Sequence, residues 1–243
     1  MCTYHIILDL EMNPVCAGMA PDGRELKTET IEIGAVKISA ETNRIVDEFT
    51  CVVCPQWNHQ VEPNITRLTG ITTREARTGK HFADALVDFS NWVGSEPVQI
   101  YSWSPSDYLQ LRGECAAKGI AFPAMLKNWV DFQAEYPKYL GYSKRRCLSL
   151  KDAAQMIGTT ILPGRAHRAL YDAQITARLV LFALTGEYRH YKANSGQSAM
   201  TYSIGEACGG KLTALLERLR HTKESEVCQH GTRSIGTTEA PVR

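Results

Sequence analysis

Five side chains in three separated stretches have the types and spacing for metal-assisted acid–base chemistry. In "IILDLEMN" (residues 6–13) an apolar run ends in Asp9 and Glu11. Residues two apart on a strand project from one face, so both carboxylates aim at one point. Buried anions so close are costly unless a cation answers them, and the neighbouring sequence offers no obvious arginine or lysine partner. A hard divalent ion, which takes carboxylate oxygens and water, meets that need. The competing reading is a short strand whose acids lie at its solvated end.

Asp107, in "YSWSPSDYLQL", follows an apolar run and opens a helix. An aspartate in a first helical turn also simply complements the helix dipole. In "HRALYDAQITARLVL", His167 and Asp172 are five apart, about 140° around a continuous helix, and would diverge if both were helical. With His167 in the approach and Asp172 in the first turn, both reach one spot, where an imidazole with room to swing suits a general base. A surface histidine beside a first-turn aspartate is the alternative.

These residues need elements to hold them. Residues 4–10 read as a buried strand, and a Gly/Pro-bearing loop covers 13–27. "ETIEIGAVKIS" (29–39) alternates as a second strand and "RIVDEFTCVVCP" (44–55) follows as a third after a turn around Asn43, giving an antiparallel meander. Asn64 and Thr66 are candidate caps of a short helix. Phe82, Leu86, Phe89 and Val93 recur at helical spacing before Gly94. "VQIYSW" (98–103) is a short strand, and 104–119 is a helix opened by proline and closed by Gly119. Residues 124–137 contain a strand around Asn128–Phe132, Ser149 caps a helix over 149–158, and 169–184 is a long helix. Strands first, then strand–helix alternation, predict an α/β domain with a mixed sheet.

The 243 residues suit one large domain, or one domain with an appendage. Beyond about residue 187 the chain turns small and polar, with one amphipathic stretch at 211–220, so 1–186 is expected to form the domain. Residues 187–243 form a C-terminal appendage, partly disordered and a possible protein-docking segment. A formal charge of +1 excludes a global basic signature, so nucleic-acid contact requires a local patch. Lys144, Arg145, Arg146, Arg165 and Arg168 bracket the third motif and supply one, with a solvated basic face as the alternative. No run approaches the roughly 20 apolar residues of a membrane span. The N-terminus resembles no signal peptide, which predicts a cytoplasmic protein. Of eight cysteines only Cys51 and Cys54 form a C-x-x-C, and on a strand their side chains diverge, so reduced thiols are expected.

Taken together, "LDLEMN", "SWSPSDYLQL" and "HRALYDAQITARLVL" resemble the three motifs of the DEDD 3′–5′ exonucleases, in the subgroup with a histidine base. The resemblance runs between motifs through "IEIGAVKI", "ITRLTGIT" and "CLSLKDAAQMIG", covering about residues 4–185. Within the family the pattern is similar to the Eri-type exoribonucleases and the KapD-like bacterial proteins. It implies a ribonuclease H-like fold, a five-stranded mixed sheet flanked by helices. It also implies two Mg²⁺ or Mn²⁺ ions held by Asp9, Glu11, Asp107 and Asp172, with His167 deprotonating the attacking water. Met12, and Leu10 if it is not simply core, are implied to touch the terminal base, while Arg165 and Arg168 of the basic patch are, from the residues alone, candidates to bind backbone phosphates. The implied activity releases nucleoside 5′-monophosphates from a single-stranded 3′ end, of RNA before DNA. A DNA exonuclease of proofreading or repair type and a regulatory binding module on the same fold are the rivals. One departure is that Ser104 and Pro105 follow Trp103, where the family often carries glycine, which leaves the reach of Asp107 to be established.

Overall fold

The computed structural model describes residues 2–15, 26–140, 147–159 and 166–187. All of them belong to one unit, Met1–Ala199. The proposed appendage, including 211–220, lies outside the described residues apart from Glu187, as do Lys144, Arg145, Arg146 and Arg165. Among the described residues no helix is long and apolar enough to cross a membrane.

The strands are β1 (Tyr4–Pro14), β2 (Thr28–Ser39), β3 (Arg44–Val52), β4 (Val98–Ser102) and β5 (Trp129–Asp131). They form a five-stranded sheet in the order β3-β2-β1-β4-β5. β1, β2 and β3 pair antiparallel, as the meander predicts, while β4 runs parallel to β1 and β5 parallel to β4. Asn43 turns β2 into β3 with a φ of 52°. The helices are α1 (Pro63–Thr69), α2 (Thr73–Arg77), α3 (Phe82–Val93), α4 (Ser106–Lys118), α5 (Phe132–Tyr139), α6 (Leu150–Met156) and α7 (Ala169–Leu184).

Alternation along β1 divides the core. Ile6, Leu8 and Leu10 pack with Ile33 and Ala35 against Phe82, Leu86, Phe89 and Val93 of α3 and Leu111 and Cys115 of α4. Ile7 joins Val36 and Ile38 beneath Ala173, Ala177 and Val180 of α7, with Phe132 and Tyr136 of α5 alongside. Asp9 and Glu11 continue the Ile7 face, the side on which α7 lies.

Several local expectations meet the structure directly. Gly119 closes α4 in the left-handed conformation. The Ser149 side chain accepts the Asp152 N–H at the start of α6. Others are corrected. β1 runs on to Pro14, so Asp9 and Glu11 lie inside the strand and Glu11 is 5% exposed. The α1 cap is Glu62, with Pro63 at the first helical position, so Asn64 and Thr66 sit within the helix. Residues 124–137 use three conformations in turn, a 3₁₀ segment (Ala124–Lys127), β5 and the start of α5.

The β1–β2 ladder shifts register between Glu11 and Met12. Glu11 pairs with Glu32 but Met12 pairs with Thr30, leaving Ile31 as the extra residue of a bulge in β2. Ile31 plugs a small third core with Val61, Ile71 and Ala76.

Just past the bulge lies a buried ionic cluster that the sequence reading did not anticipate. Lys118 Nζ donates to Glu29 Oε1 at 3.0 Å and to Glu114 Oε1 at 2.7 Å. Glu29 also accepts the N–H groups of Gln56, Trp57 and Asn58, while Glu114 accepts the N–H and hydroxyl of Thr30. Burial by itself pushes the Glu29 carboxyl up. The Asn58 N–H, the charge and hydrogen bond of Lys118 and the Gln56 N–H outweigh that and hold it below its ordinary value. A depressed carboxyl stabilises the fold above its unfolded pKa, and that stabilisation is lost as pH falls through the lowered folded value. Glu29→Gln is therefore expected to cost about 2 kcal/mol at pH 7 and to shrink the further loss below pH 4, read from urea unfolding at both pH values. An unchanged acid limb removes Glu29 from that role.

Candidate active site

Each carboxylate of the three motifs arrives by a different local device. β1 pairs with β4 only from Tyr4 to Ile7. Past that point the Leu10 N–H donates instead to Asp107 Oδ1 at 3.1 Å. Asp107 lies in the first turn of α4 and is 5% exposed. Ser104 and Pro105 lead into the helix, with Pro105 as its N-cap residue, and Asp107 still reaches the strand carrying Asp9 and Glu11.

The third motif folds back on itself. Asp172 lies in the first turn of α7, 9% exposed, and its Oδ2 accepts the His167 N–H at 3.0 Å. His167 sits just before the N-cap residue Arg168 with a φ of 65°, and it is exposed. The left-handed conformation costs a non-glycine residue about 1–2 kcal/mol and persists only where its surroundings hold it. The histidine is therefore on a pinned backbone rather than a freely swinging approach. Ligating atoms of Glu11, His167 and Asp172 all lie within 4.8 Å of one another. Asp9 shares the Glu11 face of β1, and Asp9 and Asp107 stand outside that 4.8 Å group.

Gly34 lets the helix come this close. It pairs with Asp9 across the β1–β2 ladder. A Cβ built there would fall within 2.5 Å of Leu170 Cα and hard against the backbone of Ala169 and Leu170. The first turn of α7 thus rests on the sheet beside Asp9.

Arg168 does not point away as a phosphate-binding side chain would. Its Nη2 donates to Glu32 Oε1 at 2.6 Å and its Nε lies 3.1 Å from both Glu32 oxygens. The Glu32 hydrogen bonds, against some desolvation, raise the guanidinium above its ordinary pKa, and the charges of Glu32, Glu75 and Glu11 add to this. This cation answers Glu32, 136 residues away in the chain, and touches the Asp9–Glu11 pair only through the charge it shares with Glu11. Leu10 is core, 3% exposed. Met12 is half-buried and packs against the same apolar cluster as Leu10.

The donor set is oxygen-rich, with Glu11, Asp107 and Asp172 all buried and one imidazole at the open side. Such donors suit a hard divalent cation, and buried carboxylates gathered this closely gain from one.

Residues 6–180 match the exonuclease family, RNase_T. The chain belongs to that family. The exonuclease is 27% identical over 217 residues to the 3′-5′ exonuclease Snipper of Drosophila melanogaster, covering 78% of this chain and 75% of that protein. It is 27% identical to ERI1 exoribonuclease 2 of Xenopus laevis over 72% of this chain, but only 28% of the frog protein's length. In fold it is similar to the nuclease domain of 3′hExo, a DEDDh family member solved bound to rAMP. The TM-score is 0.66 at 24% identity, covering 76% of this chain and 92% of that one. The five-stranded mixed sheet and the three motifs thus belong to a ribonuclease H-like 3′–5′ exonuclease. DEDDh exonucleases generally use divalent metals.

Proposed function

We propose that this exonuclease shortens single-stranded RNA from its 3′ end, releasing nucleoside 5′-monophosphates. The carrying observation is the convergence of Glu11, His167 and Asp172 within 4.8 Å, beside Asp9 and the strand-bound Asp107. Asp9, Glu11, Asp107 and Asp172 would hold two Mg²⁺ or Mn²⁺ ions, which would supply electrostatic stabilisation of the charge that develops as the phosphodiester is hydrolysed. His167, on the open side, takes the proton of the attacking water. Its backbone N–H is held by Asp172 Oδ2, which limits where the imidazole can lie before substrate arrives. Asp107 keeps its place through Leu10, so loss of that hydrogen bond would loosen β1 where the acids sit. Met12, next to Glu11 and half-buried, is proposed to meet the terminal base, and Arg165, outside the described residues, to meet phosphate. The RNA preference rests on the names of ERI1 exoribonuclease 2 and of the rAMP-bound 3′hExo domain. A cytoplasmic compartment and a protein-docking role for 187–243 belong to the same proposal.

The test is a set of 5′-labelled RNA and DNA oligonucleotides incubated with Mn²⁺ or with EDTA. Stepwise loss from the 3′ end, faster on RNA and abolished by EDTA, is the expected outcome. Internal cuts or EDTA-resistant cleavage would overturn the mechanism, and faster loss from DNA would overturn the substrate.

A further inference from the structure

We propose that Glu32, which belongs to none of the three motifs, is a positioning residue for this active site. The inference rests on the metal-dependent nuclease reading of the same site. Glu32 lies opposite Glu11 in the β1–β2 ladder and opposite Val52 in the β2–β3 ladder, so its backbone is fixed from both sides. Its side chain is 2% exposed. One carboxylate there does two jobs on α7. It receives the Arg168 guanidinium through Nε and Nη2, and its Oε2 accepts the Ala169 N–H at 2.8 Å.

That second bond is a helix cap supplied from a different element. Arg168, the N-cap residue of α7, makes no capping bond of its own, and helix N-termini leave N–H groups that need acceptors. Glu32 provides one, and its negative charge suits the positive end of the helix. On the other side of the same short segment, Asp172 accepts the His167 N–H. The left-handed His167 is therefore stretched between two carboxylates, one anchored in the sheet and one in the helix. Without Glu32, Arg168 and Ala169 lose their tie to β2, and His167 and Asp172 lose a fixed distance from Glu11.

Glu32 is filled by these donors and acts through them, which separates it from the ligand set. Groups that orient metal ligands typically cost 10–100-fold in activity or metal affinity when removed. The full-length chain carrying Glu32→Gln, Arg168→Gln or both is compared with wild type. Readouts are thermal melting, kcat and KM on a 5′-labelled oligoribonucleotide with Mn²⁺, and the Mn²⁺ Kd by calorimetry. Glu32→Gln is expected to melt cooperatively, to lose kcat by about 30-fold with KM changed less than about threefold, and to weaken Mn²⁺ binding by about fivefold or more. The double variant is expected to fall no more than about threefold below the weaker single variant, because both substitutions cut one bridge. A kcat within about threefold of wild type, a loss carried by KM, or an unchanged Mn²⁺ Kd overturns the proposal. Should Glu32→Gln fail to fold, the partly exposed Arg168→Gln carries the same readouts. Wild-type protein that binds Mn²⁺ yet cleaves no oligonucleotide overturns the nuclease reading, and the Mn²⁺ Kd of the variants then decides the positioning role. Wild-type protein that binds no Mn²⁺ overturns both.

Discussion

Asp172→Ala and Asp172→Asn are both expected to lower turnover by about 10³-fold, a loss of about 4 kcal/mol in transition-state stabilisation, yet to differ in stability. The carboxylate has two uses. Its charge, beside Glu11 and His167, would help to hold a divalent cation, and its Oδ2 accepts the His167 N–H. Asparagine keeps an oxygen for the N–H and loses the charge. Alanine loses both, and frees His167 from a conformation that costs energy to hold. Alanine should therefore destabilise the chain by about 1–2 kcal/mol more than asparagine, while activity falls alike. Single-turnover hydrolysis of a labelled oligonucleotide and urea unfolding of both variants separate the two roles. If Asp172→Asn keeps turnover within about tenfold of wild type, the charge is not what the site needs.

Gly34→Ala is expected to cut turnover by about 100-fold although Gly34 touches no reacting group. The new methyl would meet backbone atoms of Ala169 and Leu170, which cannot rotate out of the way as a side-chain tip can. The first turn of α7 must retreat from β2, carrying Asp172 and His167 away from Glu11. A displacement of about 1 Å at reacting groups is enough for a loss of this size. The overpacking should also destabilise the chain by about 1–3 kcal/mol. Activity and Mn²⁺ binding measured at a temperature where the variant is folded isolate the geometric effect. Full activity there would mean that α7 does not set the site's dimensions.

What the sequence made legible was local. The turn at Asn43, the Ser149 cap, the proline and glycine bounding α4 and the two-residue spacing of Asp9 and Glu11 each depend on neighbours within a few positions. The site residues were readable because each lies at the edge of such an element. The ionic supports were not. Glu32 meets Arg168 across 136 positions and Glu29 meets Lys118 across 89, and no periodicity links residues so far apart. A clue was present nonetheless. Two glutamates inside the apolar run "ETIEIGAV" cannot both be solvated if the strand is central, so each required a distant partner. The length of β1 was misjudged for the opposite reason, since acids inside a strand look like its end until their partners are known.

The bulge at Ile31 makes the spacing of Glu29 and Glu32 odd, while their ladder partners Asn13 and Glu11 are two apart. The segment thus has a counting constraint. Exchanging residues within 28–32 alters individual bonds, whereas deleting Ile31 would leave the same pairs in a plain ladder but remove the plug of the small core of Val61, Ile71 and Ala76. Descendants of this chain are freer to change letters here than to change its length.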